Sequence, residues 1–159
     1  MPPSPARKHH PKPYAAFRIH LALDAGPIVA GFSQMSALSR TTDVVDYRDG
    51  SEPCSTHKLP GCSHYAPVHL ERGLSHSKAF MDWAKAALTS GGGAPQLRKP
   101  ATITVLDEHG TIVLKANLVR AWVSEFQALP DLDANANAVA VLSIMIQHEG
   151  FELEIPVVS

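Results

Sequence analysis

Hydrophobic residues occupy every second position in an early segment of the chain. They are Phe17, Ile19, Leu21 and Leu23, and polar or small residues lie between them. Successive side chains of a strand point to opposite faces, so this period of two predicts a half-buried strand. Turn residues separate this segment from further apolar segments, which predict a meander of antiparallel strands over 28–32, 38–47 and 68–72.

The last third of the chain predicts strands again. Residues 102–106 and 112–114 flank Asp107-Glu108-His109-Gly110, a turn in which the glycine supplies the unusual backbone angle of a hairpin. We expect the second of these strands to continue over 118–126. Residues 138–146 are apolar and β-branched, which predicts a strand that is buried on both faces.

One segment has the period of a helix. Ser75 is a candidate N-cap, and glycines at 91–93 followed by Pro95 end the pattern, so we expect a helix over about 75–89. Its apolar residues recur at i, i+3, i+4, i+7 and i+8 and form one stripe, which consists of Phe80, Trp83, Ala84, Ala87 and Leu88. We predict that Phe80, Trp83 and Leu88 are the core residues of this helix. The whole pattern favours a mainly β fold, a β-sandwich or barrel with one packed α-helix.

Residues 48–64 interrupt the strand pattern. They contain Asp49-Gly50, Pro53 and Pro60-Gly61, which are typical of turns and loops. A loop of this length is uncommon in a compact domain, and long loops often carry function. We therefore expect this loop to take part in the function of the protein.

Composition places the chain among ordinary globular proteins. It has 159 residues, of which 45% are hydrophobic and 18% are charged, and its formal net charge is −1. This charge does not favour nucleic acid or an anionic membrane as a partner. No apolar run approaches the roughly 20 residues that a membrane helix needs, and the N-terminus lacks the apolar stretch of a secretory signal. We expect a protein that folds in the cytoplasm without membrane anchoring.

The first 14 residues differ from the rest of the chain. They hold five of the thirteen prolines and carry a charge of +3, which predicts an extended, flexible, basic tail. The alternative is a basic arm that contacts a neighbouring subunit. The remaining pattern predicts one domain over residues 15–155.

The candidate catalytic and metal-binding residues do not form a familiar pattern. Cys54, His57, Cys62 and His64 are potential zinc ligands, but their spacing differs from that of structural zinc sites. A disulfide between the two cysteines is not expected in the cytoplasm. The glycines at 91–93 follow a helix and do not open one, so they do not form a phosphate-binding loop. We predict no catalytic residue, no metal and no cofactor.

A series of short motifs runs along the chain, including Val45-Asp46-Tyr47-Arg48-Asp49-Gly50 and His57-Lys58-Leu59-Pro60-Gly61. Others lie at 14–19, 30–38, 70–74, 80–83, 106–110, 121–122 and 148–152. In order and spacing they resemble the tail-tube proteins of contractile phage tails and of phage-tail-like contractile injection systems. That family is in turn similar to the haemolysin-coregulated proteins of type VI secretion.

The resemblance implies two antiparallel β-sheets with a side helix, and a structural subunit that is not an enzyme. Six copies would close a ring, and stacked rings would form a hollow tube that a contractile sheath drives through a target envelope. Sheath and baseplate proteins would be partners, cargo would occupy the lumen, and nucleic acid would be a partner only if a phage genome passes through. The loop implied for ring stacking and assembly contains Tyr47, Arg48, Asp49, Gly50, His57, Lys58, Leu59, Pro60 and Gly61.

Two other functions stay open at this point. One is a tube-initiating or baseplate-adjacent paralogue of the same fold, which would form one ring per particle. The other is a small β-barrel that binds a metal or ligand through the Cys/His loop, and this protein would copurify with its metal.

Overall fold

The computed structural model describes residues 17–51, 54–73, 77–90, 95–127 and 142–156. Ten strands, one α-helix and a 3-10 turn at Pro95–Leu97 lie in these ranges. The elements are β1 (Arg18–Leu23), β2 (Ile28–Phe32), β3 (Gln34–Met35), β4 (Arg40–Tyr47), β5 (His57–Tyr65), β6 (Val68–Gly73), α1 (Lys78–Thr89), β7 (Lys99–Leu106), β8 (Ile112–Gln127), β9 (Leu142–Gln147) and β10 (Gly150–Glu154). The tail expected at 1–14 lies outside the described residues.

Eight of the strands form two antiparallel sheets that share the long strand β8. The first sheet has the order β2-β1-β7-β8-β10, and the second has the order β8-β9-β6-β3. The far strands β2 and β3 are consecutive in the chain and are separated only by Ser33, whose N–H donates to the Glu71 carbonyl at 3.4 Å. The two sheets therefore meet at both sides and form a barrel. The predicted mainly β fold with two antiparallel sheets is confirmed.

The barrel closes where Phe32 lies against Gly73. A Cβ atom at Gly73 would overlap the Phe32 ring, so only glycine allows β2 and β6 to approach this closely. The inward side chains of both sheets fill the space between them with aliphatic residues, of which Leu21, Val68, Leu70, Ile103, Leu118, Val123, Ile144 and Ile146 are fully buried.

The shared strand β8 changes its alternation at Arg120. Its buried residues are Ala116 and Leu118 before this point and Ala121 and Val123 after it. Arg120 has a φ of 50°, and its left-handed backbone inserts one extra residue opposite β7. This bulge turns the apolar residues of both halves of β8 toward the same core. The Glu149 carboxylate stabilises the bulge through ion pairs with Arg120 Nε (3.0 Å) and Arg98 Nη1 (2.6 Å).

The helix α1 packs against β8 through Phe80, Trp83, Ala84 and Ala87, which are all buried. The prediction that Leu88 belongs to this buried stripe is wrong, because Leu88 is 45% exposed. At about 100° per residue, Leu88 lies roughly 80° around the helix from Phe80. It is also in the last turn, at the margin of the packed face.

The helix begins later than the pattern predicts. Ser77 caps α1, and its side chain accepts from the Phe80 N–H at 3.5 Å. The predicted cap, Ser75, lies outside the described residues. With 12 residues, α1 is too short to cross a membrane, and no other helix in the described ranges is long and apolar enough to do so.

The strand β9 differs from its prediction. Buried positions alternate with half-buried ones along Leu142–Gln147, so only one face of β9 meets the core. The expectation of a strand buried on both faces is therefore wrong over these residues. The half-buried side chains Ser143, Met145 and Gln147 lie on the other face, and residues 138–141 of the predicted strand lie outside the described part of the chain.

Candidate assembly surfaces

A long β-hairpin starts inside the barrel and continues beyond it. The pairs Gln34–Glu71 and Met35–Leu70 join β3 to β6, and the pairs Arg40–Tyr65 and Thr42–Ser63 join β4 to β5 in the same register. Between these two parts of the hairpin, Ser36 N–H donates to the His69 carbonyl and Ala66 N–H donates to the Ser39 carbonyl. The part of the ladder outside the barrel, residues 40–65, is called the arm, and its end around Tyr47 and His57 is called the tip.

The arm contains every residue of the predicted assembly loop. Tyr47 ends β4, Arg48-Asp49-Gly50 lie in the turn, and residues 57–61 lie within β5. The prediction of one long loop over 48–64 is therefore wrong. Pro60 and Gly61 normally interrupt a strand, but Pro60 pairs only with Val44 of β4. Since β5 has no second neighbour among the described strands, the missing N–H of proline is tolerated there.

Polar contacts hold the two strands of the arm together. The Ser63 hydroxyl accepts from Arg40 Nη2 at 3.0 Å and forms a hydrogen bond with the Thr42 hydroxyl at 2.9 Å. An ion pair joins Lys58 to Asp46 at 3.2 Å, and a hydrogen bond joins His64 Nε2 to Asp43 Oδ2 at 3.0 Å. These groups are all exposed or half-exposed, so each pair contributes little to stability.

Apolar side chains are exposed on both faces of the arm. Directly opposite residues share a face, so Val44 and Pro60 lie on one face, and Val45, Leu59 and Tyr47 lie on the other. Val44 is 62% exposed and Tyr47 is 52% exposed. A two-stranded ribbon with neither face covered is only marginally stable in water. The arm therefore has the properties of a segment that another surface covers.

An aromatic cluster, called the clamp, fixes the base of the arm to the barrel. It consists of Tyr65, His148 and Phe151, whose ring centroids are 5.7–6.0 Å apart. His148 is buried, with Nε2 3.0 Å from the Ala66 carbonyl and Nδ1 3.2 Å from the Gly150 carbonyl. A neutral imidazole has one N–H and donates to one of these carbonyls, whereas an imidazolium donates to both. The clamp joins the end of β5 to the start of β10.

The first sheet ends in two strand edges. Among the described strands, β2 pairs only with β1, and β10 pairs only with β8. Each edge carries an exposed apolar side chain, Ile28 (59% exposed) on β2 and Leu153 (50% exposed) on β10. Unpaired strand edges offer backbone donors and acceptors to another chain. The two edges lie on opposite sides of the sheet.

The Cys/His loop does not gather into a metal site. Cys54 and Cys62 are free and exposed, and His64 contacts Asp43. No group of three or more His, Cys, Asp or Glu side chains in the described ranges could hold a metal ion.

Sequence reasoning missed two of these surfaces. The strand β10 and its edge were not predicted, although Phe151, Leu153 and Ile155 alternate with Glu152 and Glu154 in the period of a strand. In the sequence, His148 is only part of the motif at 148–152 and has no predicted role. It contacts Ala66 in the structure, which is 82 residues away in the chain. No local pattern could indicate that contact.

Comparison with known proteins places the chain among tube proteins. The family model for the T4-like virus tail tube protein gp19 matches residues 14–152. No curated protein matches the chain by sequence.

Solved structures share its fold at low sequence identity. A chain of the cryo-EM structure of the sheath–tube complex of an extracellular contractile injection system, PVC, in the extended state is 22% identical, with a TM-score of 0.65 over 94% of this chain and 95% of that one. A chain of the six-fold symmetrised baseplate of the anti-feeding prophage is 22% identical, with a TM-score of 0.64 over 87% and 91%. A type six secretion system protein is 11% identical, with a TM-score of 0.62 over 88% and 84%.

Proposed function

This chain belongs to the T4-like virus tail tube protein gp19 family, and from this premise we propose that it forms hexameric rings that stack into the hollow inner tube of a contractile particle. It is a structural subunit of a phage tail or tail-like injection particle and not an enzyme. The observation that carries the proposal is the family match over residues 14–152. The six-fold symmetry of the anti-feeding prophage baseplate, one chain of which has the same fold, supports a ring of six.

The two edge strands of the first sheet support ring closure, through β10 and the Ile28 end of β2, since the Phe32 end of β2 already meets β6. The β2 edge of one subunit would pair with the β10 edge of the next, so each subunit would use two different surfaces. Such head-to-tail contacts close into a ring when the rotation between subunits allows it. Closure would also cover both edges, which otherwise favour uncontrolled association.

The outward face of the first sheet supports a water-filled channel. Thr102 Oγ1 donates to Asn117 Oδ1 at 3.0 Å, Asn117 Nδ2 donates to Glu154 Oε1 at 2.9 Å, and Lys115 Nζ lies 3.3 Å from Glu154 Oε2. This polar row crosses β7, β8 and β10 on the side away from the core. If the first sheet continues around a ring, the row becomes part of a hydrophilic band that lines the lumen and contacts cargo.

The arm supports contact between rings. Its exposed apolar residues need a cover that the described part of the subunit does not supply. We assign ring stacking to the arm, and in particular to the residues of the predicted assembly loop. The sheath–tube complex and the baseplate that contain chains of this fold make sheath and baseplate proteins the further partners that we propose.

A ring next to the baseplate is the second candidate. The baseplate chain matches this chain about as well as the chain from the sheath–tube complex does. The number of copies per particle separates the two functions, because a main tube protein is present in many rings and an initiator in one.

Ring closure is tested by placing lysine on the two edge strands. The variants Ile28→Lys and Leu153→Lys add a charge to each edge where the side chain is already exposed, so the subunit should remain folded. Leu88→Lys is the matched control, because Leu88 is also an exposed leucine but lies on neither edge.

The mass of each species in solution is measured by analytical ultracentrifugation. We expect a six-subunit species for the wild type and the control, and monomers for both edge variants. Six-subunit rings from both edge variants would contradict closure through these edges.

A further inference from the structure

A groove opens on the barrel beside the base of the arm, where Ser36 and His69 are part of its lining. It is a cavity of about 530 Å³ between the beginning of β1 and the strands β3 and β6. Phe17, Met35 and Val105 contribute apolar surface, and His69 and Glu71 contribute the polar side. Phe17 is 38% exposed and Met35 is half-buried, so apolar surface in the groove is open to solvent.

The groove and the arm tip are at the two ends of one ladder. The pair Gln34–Glu71 borders the groove, and the pair Tyr47–His57 forms the tip. Tyr47 lies thirteen positions after Gln34, which corresponds to at most about 45 Å of extended chain. A projecting segment and a cavity at opposite ends of one element allow the same contact to repeat without limit along an axis.

Each end carries an exposed charge that can pair with the other end, and at the tip this charge, Arg48, lies beside Asp49. In the groove, Glu71 Oε1 lies 3.1 Å from His69 Nδ1, and the Glu71 side chain is 44% exposed. Arg48 is exposed at the tip, directly after Tyr47. An arginine guanidinium pairs well with a carboxylate. Glu71 is the only carboxylate among the residues that line the cavity in the described structure.

We propose that the groove receives the arm tip of a second copy of this chain in the next ring. Tyr47 and Leu59 of the incoming tip bury their exposed side chains against Phe17, Met35 and Val105. Arg48 of the tip pairs with Glu71 of the groove. This inference rests on the proposed stacking of rings and names the surface that the arm contacts.

A charge exchange tests the pairing. Arg48→Glu and Glu71→Arg each place like charges in the contact, and the double variant restores opposite charges with the positions exchanged. Glu108→Arg at the turn between β7 and β8 is the control for reversing an acidic residue elsewhere on the surface. The yield of tubes is measured by sedimentation and counted by electron microscopy, and ring mass is measured in the same samples.

We expect each single variant to form intact rings and to lower the tube yield at least about tenfold, because like charges oppose association. The double variant should return the yield to within about threefold of the wild type. The Glu108→Arg control should behave as the wild type. Rescue by the second substitution also separates loss of the contact from misfolding.

Three results would overturn the proposal. The single variants could give wild-type tube yields, or the double variant could give no more tubes than the single variants. Alternatively, Glu71→Arg could lower the thermal stability of the subunit and leave tube yield unchanged, which would indicate that Glu71 serves the fold of the subunit and not the contact between rings. A wild-type protein that forms no rings or tubes would instead refute the proposed function, and the groove contact with it.

Discussion

Replacement of Trp83 by alanine removes the aromatic anchor between α1 and the barrel. Trp83 is 4% exposed, and its ring lies against Phe80 with the centroids 6.3 Å apart. Its Nε1–H donates to the Leu97 carbonyl at 2.9 Å, which ties α1 to the turn that precedes β7. The substitution therefore removes both packing and a hydrogen bond.

The expected loss in the free energy of unfolding follows from the lost packing and the lost hydrogen bond. Truncation of a buried tryptophan to alanine costs about 3–5 kcal/mol, because transfer energy is lost and a cavity remains. The hydrogen bond accounts for about 1 kcal/mol of this. Trp83→Phe keeps an aromatic ring and loses the donor, so we expect a cost of about 1–2 kcal/mol. A domain of this kind has a total stability of only about 5–15 kcal/mol, so the alanine variant should be severely weakened.

The free energy of unfolding is measured by urea titration followed by circular dichroism. Leu153→Lys serves as the background, so that ring formation does not add to the apparent stability. Trp122 remains in β8 as a fluorescence reporter of the same transition.

Leu88→Ala is the matched control on the same helix. Leu88 is partly exposed, so we expect a change of about 0.5 kcal/mol or less. A loss below about 1 kcal/mol for Trp83→Ala, or equal losses at both positions, would refute the packing of α1 through its Trp83 face.

Two further substitutions test the barrel and the clamp. Gly73→Ala places a Cβ against the Phe32 ring and should cost about 1–3 kcal/mol, whereas Gly31→Ala meets only ordinary contacts, the nearest at 3.9 Å, and is the control in the same urea titration. Equal stability of the two variants would contradict the closure of the barrel at Gly73. His148→Ala leaves a buried carbonyl without its donor and opens the clamp, so the melting temperature should fall by an amount equivalent to about 1–3 kcal/mol. An unchanged melting temperature would show that the clamp does not hold the arm to the barrel.

The local sequence pattern was sufficient to predict an element where one face of that element meets the core. The strand β1 alternates buried positions with half-buried or exposed ones because the barrel covers one of its faces, and β2 begins and ends where the apolar segment does. The hairpin of β7 and β8 was predictable because Gly110, with a φ of 83°, marks its turn. In each case a local signal and the tertiary packing agree.

The first strand of the arm, β4, lies within the strand predicted over 38–47, but β5 was not predicted, because nothing in the subunit selects one face of the arm. Its residues are exposed on both sides, so β5 shows no alternation, and Pro60 and Gly61 predict a loop. The bulge at Arg120 also has no local signal, since the left-handed conformation there is occupied by arginine and not by glycine. The groove combines β1, β3, β6 and β7, so it exists only once the barrel has closed.

Electron microscopy of the purified protein tests most directly whether this chain builds a tube. We expect rings with six-fold symmetry and, at higher concentration, stacks of these rings with a continuous central channel. The mass in solution should correspond to multiples of six subunits. A monomer that persists at every concentration, without rings or tubes, would contradict a main tube subunit that assembles by itself.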